Sequence, residues 1–385
     1  MRVLHVYKSY YPDTLGGIEQ VIAQLGSGLS AMGDECRIFT LSHDPSPATL
    51  VRPEGEVHRS RVTAEISSNP VSVAALGEFR RQLEWADVVH YQFPWPFADV
   101  LHLVWAQAKP SVVTYQSDVV RQKWLRRAYL PLMNRFLGSA GMVVATSPQY
   151  RDSSPVLSRI RPIVRIIPNG LDETSYPAPR AEVLEQWRRR VGEGFLLFVG
   201  VLRYYKGLDT LLQAARGSPV RIVVAGTGPE AAAMQQFVSG EGLDNVQLLG
   251  EVTDEDKVCL LRLSLGFVFP SNLRSEAFGM ALVESAMHGK PMISCEIGTG
   301  TSYVNVDGLT GWTVPPDNAQ ALRDAMLRLQ HRPDDARRMG DAARERYLEL
   351  FTARRMAQSY REAYGEVIGR PIDRRQPSPQ RTRPS

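Results

Sequence analysis

Short apolar runs recur along this chain. Each closes on glycine or a polar turn, and most lead into residues with helical spacing, a rhythm that leaves few folds open. Arg2–Tyr7 is the first run; a polar loop with Asp13, Gly16 and Gly17 follows, and Ile18, Val21, Ile22, Leu25 and Leu29 then repeat at the period of an amphipathic helix. Further runs stand at Cys36–Leu41, Asp87–Tyr91, Ser111–Tyr115, Met142–Thr146 and Ile163–Ile167. Strand, turn and helix in alternation predict an α/β architecture with a mainly parallel sheet. After Pro168-Asn169-Gly170, residues from about Asp172 to Glu193 are rich in proline and charge and read as a linker with the entry helix of a second domain. The pattern restarts at Phe195–Gly200 and continues through Val220–Gly226, Val246–Leu249, Leu265–Phe269 and Met292–Cys295. Two arrays of similar size predict two doubly wound domains facing each other across a ligand cleft. We place them at residues 1–175 and 176–350, followed by a helix over 351–370 that returns to the first domain. The tail, 371–385, is Arg, Pro, Gln and Ser without apolar anchors, and is expected to be disordered.

Composition narrows the partners. A net charge of +4 over 385 residues suits anionic small ligands or a membrane surface and is too weak to argue for nucleic acid. Cys36, Cys259 and Cys295 each lie in or beside an apolar run, far apart, and read as buried thiols in a reducing compartment with no metal spacing among them. The opening residues are too short an apolar stretch for a signal peptide, and no run approaches the roughly 18 residues of a membrane span. A cytoplasmic location is expected. Trp124–Leu137 mixes basic and apolar residues, with Arg121 and Lys123 just before it. It reads either as a helix lying on an anionic membrane or as a domain helix with a solvated basic face.

The densest chemistry lies at Pro270–Glu284. An apolar strand runs into a polar turn and then a helix that Gly289 and Pro291 bring to a close. Glu276 falls at the helix mouth and Glu284 two turns further in, with the first free backbone N–H groups near Phe278, Gly279, Met280 and Ala281. Free donors at a helix N-terminus suit a diphosphate, and the two carboxylates suit sugar hydroxyls; the plainer alternative is an acidic first turn with a solvated glutamate. In Gly200–Gly207, Arg203 and Lys206 emerge at a strand's carboxyl end, where paired hydrogen bonds and a point charge would hold phosphate oxygens. Gly16-Gly17 allows close approach of the backbone to a ligand, or is simply a tight turn. His90-Tyr91-Gln92 and Tyr115-Gln116-Ser117-Asp118 close two strands, as cleft residues or as satisfied structural ones. Asp254-Glu255-Asp256 has the look of a metal-binding carboxylate group, but Thr253 before it reads as a helix N-cap, and acids in a first turn need no metal. No zinc spacing and no hydrolase nucleophile motif is present.

Taken together, Gly16-Gly17-Ile18-Glu19, Arg203 with Lys206-Gly207, and Glu276 with Glu284 at E-x7-E spacing resemble glycosyltransferase family 4, retaining enzymes of the GT-B fold with two Rossmann-like domains. The resemblance covers nearly the whole chain apart from the tail. Tyr115–Lys123, Ala145-Thr146-Ser147-Pro148 and Cys295–Asn305 are similar to the bacterial O-antigen and lipopolysaccharide mannosyltransferase branch. That likeness implies a GDP-mannose or GDP-rhamnose donor, a lipid-linked or lipopolysaccharide glycan acceptor, no metal and no cofactor beyond the sugar-nucleotide substrate. It also implies a peripheral place on the cytoplasmic face of the inner membrane. By the resemblance, Arg203, Lys206 and Glu276 are catalytic, and Gly16, Gly17, Gln116, Phe278, Gly279, Met280 and Glu284 bind the donor. One departure is Gln116, where many members carry His. Glutamine donates and accepts hydrogen bonds but shuttles no proton near pH 7, which suggests a positioning role and a 6-deoxy donor sugar. The competing readings are a UDP-sugar transferase of the same family, a non-catalytic sugar-nucleotide-binding homologue, and an epimerase of the same architecture.

Overall fold

The apolar runs form two separate sheets. In the computed structural model the described residues are 1–66, 69–118, 123–160 and 162–369, with backbone alone over 123–128. The first half holds β1 (Arg2–Val6), β2 (Glu35–Ser42), β3 (Thr49–Arg52), β4 (Gly55–Arg61), β5 (Ala64–Ile66), β6 (Asn69–Val71), β7 (Val88–Phe93), β8 (Ser111–Tyr115), β9 (Met142–Ala145) and β10 (Val164–Ile166). Eight of these make one sheet in the order β10-β9-β8-β7-β1-β2-β4-β3, parallel except for β3 against β4; β5 and β6 pair apart from it. Every residue of β7 and β8 is buried, as expected of central strands covered on both faces. The second half holds β11 (Leu196–Val199), β12 (Ile222–Ala225), β13 (Val246–Gly250), β14 (Gly266–Phe269), β15 (Met292–Cys295) and β16 (Gly311–Val314). These form an all-parallel sheet in the order β13-β12-β11-β14-β15-β16.

Strand order fixes where a ligand can sit. In the second sheet the order reverses between β11 and β14, so the loops leaving those neighbours diverge and open a crevice at their carboxyl ends. Those loops are Gly200–Gly207 and Pro270–Gly279. In the first sheet the reversal falls between β1 and β7, and the loop leaving β1 carries Gly16 and Gly17.

The last helix, Ala353–Ile368, crosses back to the first half. Met356, Ala357, Tyr360, Ala363, Tyr364 and Val367 face inward at helical spacing and share one apolar cluster with Val3, Val21, Leu25, Val88 and Val112. Thr352 caps its start, accepting from the Arg355 N–H at 3.3 Å.

The structure adds to the sequence reading at two points. The β3–β4 hairpin and β16 went unread because their residues alternate with charge or are few; β3 is an edge strand with half its residues exposed. The Trp124–Leu137 segment lies in a helix, Lys123–Ser139, but Met133, Phe136 and Leu137 are at most 2% exposed within the first half's core. That part of its apolar stripe is taken by the protein interior and is not free to enter a membrane. The tail lies outside the described residues. No helix among the described residues is long and apolar enough to cross a membrane.

Candidate functional site

Gly207 is where the second half's crevice is built. Its φ of +64° is left-handed, and a Cβ there would stand 2.0 Å from the Pro270 carbonyl oxygen. The loops leaving β11 and β14 therefore touch backbone to backbone, and Asn272 N–H donates to the Tyr205 carbonyl at 3.0 Å. This contact sets Lys206 Nζ 2.5 Å from Glu276 Oε2, to which Ser271 Oγ also donates at 3.2 Å. Lys206 Nζ lies 4.6 Å from the centroid of the Phe269 ring, which walls one side of the pair. Glu276 Oε1 has no partner among the described residues.

Glu284, in the helix Met280–Met287, is likewise held by one oxygen. Its Oε1 accepts from Tyr176 Oη at 2.7 Å, Lys257 Nζ at 2.8 Å and Gln20 Nε2 at 3.4 Å, and Gln20 also donates to Tyr176 Oη at 2.9 Å. Gln20 belongs to the first half, Tyr176 to the connecting segment and Lys257 to the second. Burial alone would lower the Lys257 pKa, but Glu284 and Asp254 more than offset it and hold the ammonium charged. Burial, then the Glu284 charge, pushes the Tyr176 phenol up. Glu284 Oε2 has no partner among the described residues, so each glutamate anchors itself by one oxygen and offers the other.

Between the two glutamates, Gly279 has a φ of +88° and caps the helix without a side chain. The N–H groups of Phe278, Gly279, Met280 and Ala281 find no acceptor among the described residues. The Phe278 ring is only 3% exposed and packs edge-on against Phe351 at 6.0 Å, so this residue has backbone alone to offer a ligand. Ala277 belongs to the first half's apolar cluster and Phe278 to the second's. The turn is thus also the seam between the halves.

The first half meets this seam at further points besides Gln20. Gly17 opens the helix Gly17–Ala31, with Met280 Cγ 3.8 Å from where its Cβ would stand. Gly16 leaves room for Glu19, whose Oε2 would be 2.4 Å from a Cβ at that position. Glu19 Oε1 in turn accepts from Ser9 and Thr14 at 2.9 and 2.7 Å and fixes the loop. Asp118 accepts from Arg274 at 3.0 and 3.2 Å, and Arg274 also reaches Ser153 Oγ and the Gly298 carbonyl at 2.8 Å each. Arg203 is exposed, without a side-chain partner among the described residues; its charge, after burial, helps lower the Lys8 pKa at the end of β1.

Gln116 stands at the end of β8, two residues before the Asp118 crossing. Its Nε2 donates to Gln92 Oε1 at 2.8 Å, and no contact joins it to Glu276 or Glu284. Thr253 does cap its helix: its hydroxyl accepts from the Asp256 N–H at 3.2 Å, while Asp256 Oδ2 accepts from the Thr253 N–H at 3.0 Å. Asp256 also accepts from Trp187 and Glu255 from Arg180, so these acids are already engaged. Among the described residues, no group of three or more His, Cys, Asp or Glu is placed to hold a metal ion. The three cysteines are buried and free. Sequence reasoning passed over Gln20, Tyr176 and Lys257. Asp118 and Arg274 lay within stretches already singled out, Tyr115–Asp118 and Pro270–Glu284, but their pairing was not read.

Comparison with known proteins gives a consistent picture. The family model for glycosyltransferase family 4 matches residues 15–175, and that for glycosyl transferases group 1 matches 179–346. D-rhamnosyltransferase WbpZ of Pseudomonas aeruginosa is 50% identical over 86% of this chain and 87% of its own length. An O-antigen chain mannosyltransferase C of Escherichia coli is 46% identical over 86% and 88%. Among solved structures, a sucrose-phosphate synthase from Thermosynechococcus elongatus superposes with a TM-score of 0.78 at 22% identity, covering 95% of this chain and 98% of that one. The Anabaena protein HepE, solved with UDP and glucose, gives 0.77 at 17% identity, covering 95% and 100%.

Proposed function

This chain belongs to glycosyltransferase family 4, a glycosyltransferase of the GT-B fold, and from that premise we propose that it transfers a D-rhamnosyl or mannosyl residue from a GDP-sugar to a lipid-linked or lipopolysaccharide O-antigen glycan, with retention of configuration. The observation that carries the reading is the meeting of Lys206 and Glu276 at 2.5 Å in the crevice between β11 and β14, beside N–H groups without partners among the described residues.

The chemistry follows from where charge develops. As the glycosidic bond breaks, electrons pass to the leaving diphosphate. Lys206, Arg203 and the backbone N–H groups of Gly279 and Met280 stabilise it, and preorganised charge of this kind is commonly the largest catalytic contribution. Gly16-Gly17 lets the first half's backbone approach the same diphosphate. Glu276, through its free Oε1, takes a donor-sugar hydroxyl, and Glu284, through Oε2, a ribose hydroxyl. The acceptor hydroxyl attacks on the face the diphosphate leaves and passes its proton to a phosphate oxygen, so the reaction needs no protein nucleophile and no metal. Gln116 positions the sugar and takes no part in proton transfer. The relatives' names support both sugars, and Gln116 tips the preference to the 6-deoxy one. The protein works at the cytoplasmic face of the inner membrane, where a lipid-linked acceptor is presented.

The test is transfer by purified protein from GDP-rhamnose, GDP-mannose and UDP-glucose to a lipid-linked glycan primer, in the presence of EDTA, with the product's anomeric configuration read by NMR. Transfer from a GDP-sugar with retention is expected. Turnover of UDP-glucose alone would replace the reading with its UDP-dependent counterpart, and nucleotide binding without transfer would make the protein a sensor.

A further inference from the structure

We infer that Gln92 is a positioning residue that turns the Gln116 side-chain carbonyl toward the cleft, so that Gln116 acts as a hydrogen-bond acceptor for one donor-sugar hydroxyl. The inference rests on the proposed function for the identity of the donor, and goes beyond it in naming the polarity of the contact and the residue that sets it.

The argument runs inward from the cleft. Gln116 Nε2 donates to Gln92 Oε1 at 2.8 Å, and Gln92 Nε2 then faces His90 Nε2 at 3.4 Å. Thr114 Oγ1 lies 2.6 Å from the same ring nitrogen, and Tyr360 Oη 2.6 Å from Thr114 Oγ1. On the other edge of the ring, Tyr364 Oη lies 2.8 Å from Nδ1. His90 is fully buried and burial drives its pKa well down, so the ring is neutral and carries one proton. A neutral imidazole offers one acceptor and one donor. We take Nε2, which the Gln92 amide faces, as the acceptor, with the proton on Nδ1 and Nδ1–H donating to Tyr364. Gln92 is thereby held with its carbonyl toward Gln116, and Gln116 with its NH2 inward. Its Oε1 is left as the outward atom. That oxygen has no partner among the described residues and is not among the sealed, unpaired polar atoms. Tyr364 and Tyr360 of the last helix, three and four hydrogen bonds from Gln116, thus fix which atom faces the sugar.

A buried amide whose partner is an acceptor cannot also present that N–H outward, and a mismatched polar contact costs the desolvation of both groups. The polarity is therefore testable with the donor itself. Fluorine accepts weakly and cannot donate, so GDP-sugar analogues carrying fluorine at C2, C3, C4 or C6 in turn probe the contact. In wild type, one analogue should lose an additional tenfold or so in kcat/KM relative to the same analogue with Gln116→Met, about the worth of one hydrogen bond. The inductive slowing by fluorine is common to both proteins and cancels in the ratio. Gln92→Met should abolish the same discrimination with the melting temperature within a few degrees of wild type. Tyr364→Phe, remote from the cleft, should weaken it two- to threefold and serves if Gln92→Met does not fold. Equal tolerance of all analogues by wild type and Gln116→Met overturns the acceptor polarity; discrimination that persists in both Gln92→Met and Tyr364→Phe overturns the positioning role. Failure of the parent GDP-sugars to react at all, with any variant, would overturn the proposed function and with it the donor-sugar contact that rests on it.

Discussion

The two walls of the cleft are made differently. The second half presents formal charge, with Lys206 against Glu276, Lys257 against Glu284, and Arg203, unpaired among the described residues, nearby. The first half presents a neutral chain of amide, imidazole and hydroxyl groups running from Gln116 through Gln92 and His90 to Tyr360 and Tyr364. A diphosphate that gains charge during reaction needs fixed positive partners and N–H donors. A sugar that must be held in one orientation needs directional contacts that do not disturb that field. Separating the two kinds of wall lets each be organised without compromising the other.

The charged wall should be the harder to alter. Replacing Lys206 by Ala, with Glu276→Gln to avoid a buried unpaired carboxylate, should lower kcat about a hundredfold to a thousandfold, the range seen when one preorganised charge-stabilising group is removed, while melting stays near wild type. A loss below tenfold in steady-state assays would place the main stabilisation elsewhere.

The neutral wall should be the more sensitive to acid. Burial holds His5 at a pKa of about 3 and His102 at about 4, both in the first half, and His288 at about 4 in the second. These values lie below the roughly 6.5 of an unfolded histidine, so between them the unfolded chain binds more protons and stability falls as pH drops from about 6.5 toward 4. Each group contributes a slope of about 1.4 kcal/mol per pH unit there. Hydrogen exchange at pH 5 should show the first sheet opening before the second; simultaneous loss of both would remove the contrast.

Where the walls meet, effects should be smaller. Tyr176→Phe removes one of three donors to Glu284 Oε1 and should cost about 1.5–3 kcal/mol of stability, the scale of a hydrogen bond to a charged group, with a severalfold rise in the KM for donor. A denaturant midpoint and KM both unchanged would show that Gln20 and Lys257 hold the carboxylate unaided. Asp118→Asn weakens the partly exposed pair with Arg274 and should cost under about 1 kcal/mol. Its readout is a slight increase in the radius of gyration by solution scattering, and a more compact protein would contradict a clasping role.

Much of this arrangement was legible in the chain. Apolar runs such as Met142–Ala145 and Leu196–Val199 show themselves because both faces of a central parallel strand are covered. Lys206 and Glu276 could each be placed in a loop that follows an apolar strand, at the carboxyl end where such sheets bind ligands. Gln20, Tyr176 and Lys257 could not, since they converge on Glu284 from separations of 264, 108 and 27 residues, and nothing local in their surroundings marks a polar meeting point. The helix Lys123–Ser139 taught the opposite lesson: an amphipathic stripe shows that an apolar face will be covered and does not say by what. Met133, Phe136 and Leu137 are covered by the core.

The return of Ala353–Ile368 to the first half has a consequence for how the molecule comes into being. Val3, Leu25, Val88 and Val112 are made early, yet the tyrosines and methionine that close over them are made after every strand of both sheets. The first sheet must therefore wait, partly uncovered, while the second, whose core runs from Leu171 to Phe351, can close ahead of it. A nascent chain made only as far as Phe351 would hold the charged wall and lack a finished neutral one, so the cleft gains its second working side only once Ala353–Ile368 has been made.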